Sequence, residues 1–382
     1  MQIYYWSPFL SHIATINSVI NSCTSLKKFS KDLYKISIVN SIGEWNSYNK
    51  ILKEKNISIE NIQNINFYTF FPKSGYFASR LIYIFNFLFC LFPLFFFLKR
   101  NKSNFFIIHL LTSLPLFLLI FFNFETKFIL RISGYPKLNF FRKVLWRLAS
   151  KKIFKVLCPT QDTCDLLKKS GIFSNEKIMP LYDPVINVAS IGHLKKEKID
   201  KYSFSNKRYI LSIGRLTKQK NHALLINFFH LLLKEGNDFD LVIIGDGENK
   251  YKLLEQIRHL NIENRVYLLG HKKNVFKFIR NAHCVVSTSL WEDPGFVMIE
   301  TAFLNTIIIS SDCPNGPKEF IGKDEAGYLF SSNDELSLLN SFNKYLNEDS
   351  NIIYNKKIVA KKKSKEFTQF NHYKNLKKIL IV

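Results

Sequence analysis

Arg215 and Lys220 stand five residues apart in Gly214-Arg215-Leu216-Thr217-Lys218-Gln219-Lys220-Asn221, directly after the apolar run Tyr209–Ile213. Gly214 permits a sharp backbone turn. The two cations fall in a loop that leads into a helix. Cations and free backbone N–H groups converging at a helix start make a site for a phosphate-like anion. A solvated basic loop is the alternative reading. A second pair, Glu292 and Glu300, lies in SLWEDPGFVMIETAF. Glu292 belongs to the loop, and Glu300 sits about 6–7 Å along the axis of the helix that Gly295-Phe296 opens. An unpaired carboxylate in an apolar run such as FVMIETAFL is costly, so Glu300 requires a partner. It suits the two hydroxyls of a ribose, while Glu292 suits the hydroxyls of a sugar. The N–H groups near Gly295 and Phe296 point at a phosphate. The alternatives are a helix-capping role for Glu292 and a surface-lysine partner for Glu300.

Other polar stretches are less specific. Gly245-Asp246-Gly247 reads either as a tight turn or as a ribose or phosphate contact. The loop from Ser311 to Glu319 is either structural or a roof over the same crevice. Asp238-Phe239-Asp240 has the Asp-x-Asp pattern of a metal site, yet it precedes a strand, at the wrong end for a ligand crevice. With no other carboxylate cluster, a bound metal and other cofactors are not expected. Arg215 and Lys220 would neutralise a departing diphosphate instead. The six cysteines, at 23, 90, 158, 164, 284 and 313, have no zinc spacing and fit reduced thiols in a cytosolic compartment. The opening MQIYYWSPFL lacks the basic start and long apolar stretch of a cleavable signal peptide.

These residues need elements to hold them. From Tyr209 onward strands and helices alternate: strands at Tyr209–Ile213, Leu241–Ile244, Val266–Leu269, Cys284–Ser287 and Ile307–Ser310, with helical stretches between. Alternation of this kind predicts an α/β, doubly wound parallel sheet whose ligands sit outside the carboxyl ends of the strands. The first half opens on a strand, QIYYW, then a helix from Ala14 to Leu26, with further strands at FFIIHLL, Lys127–Ile132 and Ile153–Leu157. At 382 residues the chain exceeds what one core supports. The expected division is an N-terminal domain over 1–185, a polar linker over 186–206, a second domain over 207–355, and a basic helical tail over 356–382. One course open to that tail is back to the first domain.

The stretch Leu81–Leu98 holds 18 residues without a charge, and Phe105–Phe124 is almost as apolar. Buried α/β elements, a helix lying in the plane of a membrane surface, and a membrane span are the three readings. Lys and Arg number 54 against 30 Asp and Glu, a net charge of +24. Residues 1–185 carry 24 of the cations and 9 of the acids. Such a surface attracts phosphate-bearing partners, whether nucleic acid, anionic lipid or a diphosphate substrate. No nucleic-acid module is recognisable, so a nucleic-acid partner is not expected.

The segments YILSIGRLTKQKN, LVIIGDGENKYKL, YLLGHKKNV and STSLWEDPGFVMIETAFLNTIIISSDCPNGPKEF resemble family 4 of the GT-B glycosyltransferases, continuously from about Tyr209 to Phe330. The resemblance implies two Rossmann-like domains facing across a cleft. It implies a nucleotide diphosphate sugar held by the C-terminal domain, an acceptor held mostly by the N-terminal one, and retention of anomeric configuration. Carried onto this chain, Arg215 and Lys220 hold the diphosphate, Glu300 the ribose, and Glu292 the transferred sugar. Gly295, Phe296 and Val297 offer backbone donors, and Gly214 and Asp293 complete the substrate-binding set. The first half departs from the family pattern. Pro8-Phe9-Leu10-Ser11-His12 stands where many members have a Gly-Gly pair, and Arg131-Ile132-Ser133-Gly134-Tyr135-Pro136 where many have a His. His12, His109, Arg131 and Ser133 are the acceptor-side candidates. The chain resembles above all bacterial members that build O-antigen or capsule from lipid-linked saccharides at the cytoplasmic membrane face. A sugar-nucleotide epimerase of the same fold and a non-enzymatic basic membrane-binding protein are the competing readings.

Overall fold

Short β-branched and aromatic runs become buried strands here, and runs whose apolar residues recur every three or four positions become the helices that cover them. The computed structural model describes the chain except residues 10–13, 64, 65, 71–75, 200, 201, 203, 205, 206, 293 and 382. It comprises two units: Met1–Pro184 together with Gln369–Val382, and Val185–Thr368.

The first unit is built on seven strands: β1 Gln2–Trp6, β2 Lys35–Asn40, β3 Ser58–Asn61, β4 Phe105–Ile108, β5 Lys127–Arg131, β6 Ile153–Cys158 and β7 Ile178–Pro180. They pair in the order β3-β2-β1-β4-β5-β6-β7, every pair parallel. The second unit has six: β8 Tyr209–Ile213, β9 Asp240–Ile244, β10 Val266–Leu268, β11 Cys284–Ser287, β12 Ile307–Ser311 and β13 Tyr328–Phe330. Their order is β10-β9-β8-β11-β12-β13, again all parallel. Both sheets reverse direction of strand addition beside their first strand. That is the doubly wound Rossmann arrangement, and it opens a crevice at the carboxyl ends of the strands flanking the switch point. The fold class is therefore that of two Rossmann-like, parallel-sheet domains, as the GT-B reading expects.

The apolar stretches of the first half resolve differently from one another. Residues Tyr76–Arg100 form a single helix that runs through Pro93. It buries Ile82, Asn86, Cys90, Leu94 and Leu98 against the core. On the opposite stripe Ile84, Leu88, Phe92 and Phe96 stay exposed. Both stripes have a spacing of four, one face of a helix each. By length and composition Ile82–Arg100 could cross a membrane. Phe105–Phe124 divides into β4 and the helix Ser113–Phe121, where Pro115 falls in the first turn and breaks nothing.

Two expected boundaries shift. The polar stretch 186–206 is not wholly linker: Val188–Leu194 is a helix of the second unit, started by Asn187, whose side chain accepts from Ser190 N at 3.2 Å. The lysine run after Leu194 hides that short apolar period. The tail is two helices rather than one basic helix over 356–382. Ser350–Ser364 stays with the second unit, and the helix Gln369–Leu380 belongs to the first. Thr368 turns extended between them and bridges Ile186, which ends the first helix. The last helix lies on Ala14–Phe29 and buries His372, Leu376, Ile379 and Leu380.

Candidate active site

The second sheet delivers its polar residues at the carboxyl ends of β8, β11 and β12. After β8 the chain turns at Gly214, passes exposed Arg215, and makes a single 3-10 turn over Lys218–Lys220 before the helix His222–Lys234. After β11 the loop reaches Gly295, whose φ of +94° suits glycine, and the helix Phe296–Phe303 begins. Lys220 Nζ lies 2.5 Å from Glu292 Oε1, and Ser289 Oγ donates to the same oxygen at 2.6 Å. Glu292 is buried. Its backbone is held as well: N–H donates to Pro314 O at 3.2 Å, and Asn315 Nδ2 donates to Glu292 O at 3.1 Å. The Ser311–Glu319 loop thus packs directly against Glu292.

A second chain of contacts ties the cationic loop to the acidic one. Arg215 donates to Gln219 Oε1 at 3.3 Å, Gln219 Nε2 donates to Trp291 O at 2.9 Å, and Leu290 N donates to Gln219 O at 2.8 Å. Thr288 Oγ1 donates to the carbonyls of Lys220 and Asn221 at 2.9 and 3.0 Å. Ser289, Gln219, Thr288 and Asn315 were not singled out from the sequence. The available signal was Ser287-Thr288-Ser289, hydroxyls clustered where a buried strand ends.

Glu300 stands apart from this network. It is half-buried on the helix, and no hydrogen bond or ion pair holds its carboxyl among the described residues. Burial alone pushes its pKa up to about 8. Asp293 lies outside the described residues. Gly295, Phe296 and Val297 occupy the junction of loop and helix, where the first N–H groups have no helical acceptor.

Residues 195–365 match the family model "Glycosyl transferases group 1". A glycosyltransferase of Methanocaldococcus jannaschii is 34% identical over 207 residues, 52% of this chain and 51% of that protein. A Campylobacter jejuni N-acetylgalactosaminyltransferase acting on N-acetylgalactosamine-N,N'-diacetylbacillosaminyl-diphospho-undecaprenol is 30% identical over 237 residues, 60% of this chain and 62% of that one. The matched stretches thus span between half and two thirds of these relatives. The second unit is thus similar to the glycosyl transferases group 1 family over residues 195–365. The fold of the whole chain extends over the full length of the Anabaena protein HepE, solved with UDP and glucose, at a TM-score of 0.73 and 16% identity, covering 100% of this chain and 99% of that one.

Inside the matched segment, the Gly245 turn packs against the backbone of Gly214. A Cβ on Gly245 would meet Gly214 O at 1.9 Å, so the loops after β8 and β9 touch there. Asp238 and Asp240 are both taken by Arg265, at 2.6 and 2.7 Å, at the amino end of β9. Of the acceptor-side candidates, His12 lies outside the described residues. The other three gather at the carboxyl ends of β4 and β5. Arg131 Nη2 pairs with Asp183 Oδ1 at 2.8 Å, both groups buried. Ser133 Oγ donates to His109 O at 3.4 Å. Burial, then Arg131 and His372, lower the His109 pKa well below the ordinary histidine range, so its ring is neutral. All three line a cavity of about 670 Å3. His372 arrives from the terminal helix: its Nδ1–H donates to Tyr182 O at 2.7 Å, which leaves Nε2 to accept from Ser22 Oγ at 2.8 Å.

Proposed function

We propose that this chain is a retaining glycosyltransferase. It moves a hexose-type sugar from a nucleotide diphosphate sugar to a lipid-linked saccharide in the synthesis of a bacterial surface polysaccharide, O-antigen or capsule. The observation that carries this reading is the Lys220–Glu292–Ser289 cluster at the switch point of the second sheet, with Glu300, whose carboxyl has no partner among the described residues, on the helix that follows the same loop. Among the described residues none donates to the Glu300 carboxyl, and the two hydroxyls of a ribose would do so. Glu292 is already held by a cation and a hydroxyl, which suits it to accept from sugar hydroxyls. Arg215 and Lys220 bring positive charge to the departing diphosphate, the task a divalent metal performs in other transferases, so we assign no metal or other cofactor. The C. jejuni relative, whose name specifies a diphospho-undecaprenol acceptor, and the basic first unit support a lipid-linked substrate and a place on the inner face of the cytoplasmic membrane. HepE's UDP makes uridine diphosphate sugars the first donors to try.

UDP-, GDP-, ADP- and dTDP-sugars, screened for thermal stabilisation, should single out one base, since a ligand that binds the folded state raises its stability. With that donor and a lipid-linked acceptor, Glu292→Gln and Arg215→Ala should each lower transfer by about 10²- to 10³-fold with folding intact. Chelation should leave the rate unchanged. Wild-type transfer by both variants, or an epimerised nucleotide sugar as the sole product, would overturn the reading.

A further inference from the structure

The first unit holds a cavity with an incomplete floor. It opens at the carboxyl ends of β4 and β5, next to the switch point, where open α/β sheets take their ligands. Arg131 lines it and is 2% exposed. One arm of its guanidinium is matched by Asp183, but Nη1 is buried without a hydrogen-bond partner among the described residues. A buried guanidinium N–H left open is costly, and an anionic oxygen is its best complement. Arg142 stands on the same wall.

The mouth of this cavity is apolar in an unusual way. Tyr83 and Phe141 both line it, and both are exposed. Each belongs to a longer outward stripe. Tyr83 adjoins Ile84, Leu88, Phe92 and Phe96 on Tyr76–Arg100, and Phe141 adjoins Phe140, Val144 and Leu148 on the helix Phe140–Ala149. Ser113–Phe121 lies between these two helices, and Phe121 at its end is exposed too. Exposed cations flank the stripes: Lys99 and Arg100 on one helix, Lys143 and Arg147 on the other, then Lys151 and Lys152. An apolar face ringed by Lys and Arg fits the boundary between headgroups and acyl chains of an anionic bilayer.

We propose that the bilayer is the occupant of this face, and that the cavity beside it receives the diphosphate of a lipid-linked acceptor, with Arg131 at the floor and Arg142 at the rim. The lipid chain stays in the membrane, and the charged head reaches inward past Tyr83 and Phe141. This rests on the glycosyl-transfer reading for what the acceptor carries, but binding can be measured without any transfer.

The full chain is sedimented with three vesicle types: phosphatidylcholine doped with undecaprenyl diphosphate, phosphatidylcholine with phosphatidylglycerol at matched surface charge, and phosphatidylcholine alone. Wild type should favour the diphosphate vesicles over charge-matched ones and bind the neutral ones least. Phe140→Ser with Phe141→Ser should lower binding to both anionic vesicles by more than about tenfold. Arg131→Lys, which keeps the charge beside Asp183, and Arg142→Gln should each abolish the preference for diphosphate while leaving charge-matched binding in place. Equal binding of wild type to the two anionic vesicles, or an intact preference in both arginine variants, would overturn the assignment of the cavity. Unchanged binding by the double phenylalanine variant would overturn the assignment of the face. If nucleotide-sugar turnover is absent while the diphosphate preference holds, the transfer reading fails and this one stands. Turnover without the preference reverses that outcome.

Discussion

Lys220 and Glu292 share one contact, so neither can be removed without stranding the other in a site where Glu292 is buried. Groups that act as a unit lose function non-additively. The double variant Lys220→Met, Glu292→Gln should therefore be less impaired in transfer than the product of the two single losses, in a double-mutant cycle on kcat/KM. Glu300 makes a separate, pH-dependent prediction. Its carboxyl, with a pKa raised from 4.5 to about 8, is mostly protonated at neutral pH in the free protein. Donor hydroxyls favour the charged carboxylate, so nucleotide binding should release a proton. Affinity should then rise with pH by up to about tenfold per unit and level off above about pH 8. Calorimetry in buffers of different ionisation enthalpy measures that proton, and Glu300→Gln should remove both the proton release and the slope. The same shift has a sign for stability. A raised carboxyl pKa stabilises the free protein below pH 4.5, and that contribution is lost as pH rises through about 8.

Elements set where these residues meet, and they do so through loops that nearly touch. Gly245 is the tightest case, at a φ of +153° with Gly214 O where a Cβ would go. Gly245→Ala should lower the melting temperature by an amount equivalent to about 1–3 kcal/mol or more. It should also weaken nucleotide binding, because the β8 loop that carries Arg215 and Lys220 must give way. Nucleotide binding at wild-type strength in this variant would mean that the loop contact does not position the cations. The same scale explains what reading along the chain missed. Gln219 and Asn315 reach the loop after β11 from other strands, and nothing in their spacing links them to it, whereas Ser289 holds Glu292 from within that loop. The long apolar stretch around Cys90 was ambiguous for a related reason. Its composition is apolar on every face, and only packing distinguishes the buried stripe from the outward one.

Across the whole molecule, buried neutral histidines couple folding to pH. His222 in the second unit and His372 in the first both have pKa values lowered from 6.5 to about 4, chiefly by burial. A lowered histidine pKa means stability that is full above pH 6.5 and lost as pH falls through about 4, at up to about 1.4 kcal/mol per unit for each proton taken up on unfolding. Urea midpoints followed from pH 7 to pH 4 should fall. His372→Gln should flatten the part of the transition reported by the first unit, and His222→Gln the part reported by the second.

The sequence by itself located five of the six strands of the second domain, β8 to β12, and left out the short β13. Those five are short, buried and evenly spaced, so periodicity locates them within a residue or two. The motifs lie at their carboxyl ends because doubly wound sheets put ligands there. The positions of Arg215, Lys220, Glu292 and Glu300 after β8 and β11 were legible for that reason, along with the family their segments resemble. Tertiary structure alone decided that Lys220 and Glu292 pair, since they are distant along the chain and meet only across β8 and β11. It also decided the course of the terminal helix, whose lysines conceal a buried stripe. Only packing reveals Asp183 beside Arg131, and with it a buried guanidinium arm that has no partner among the described residues.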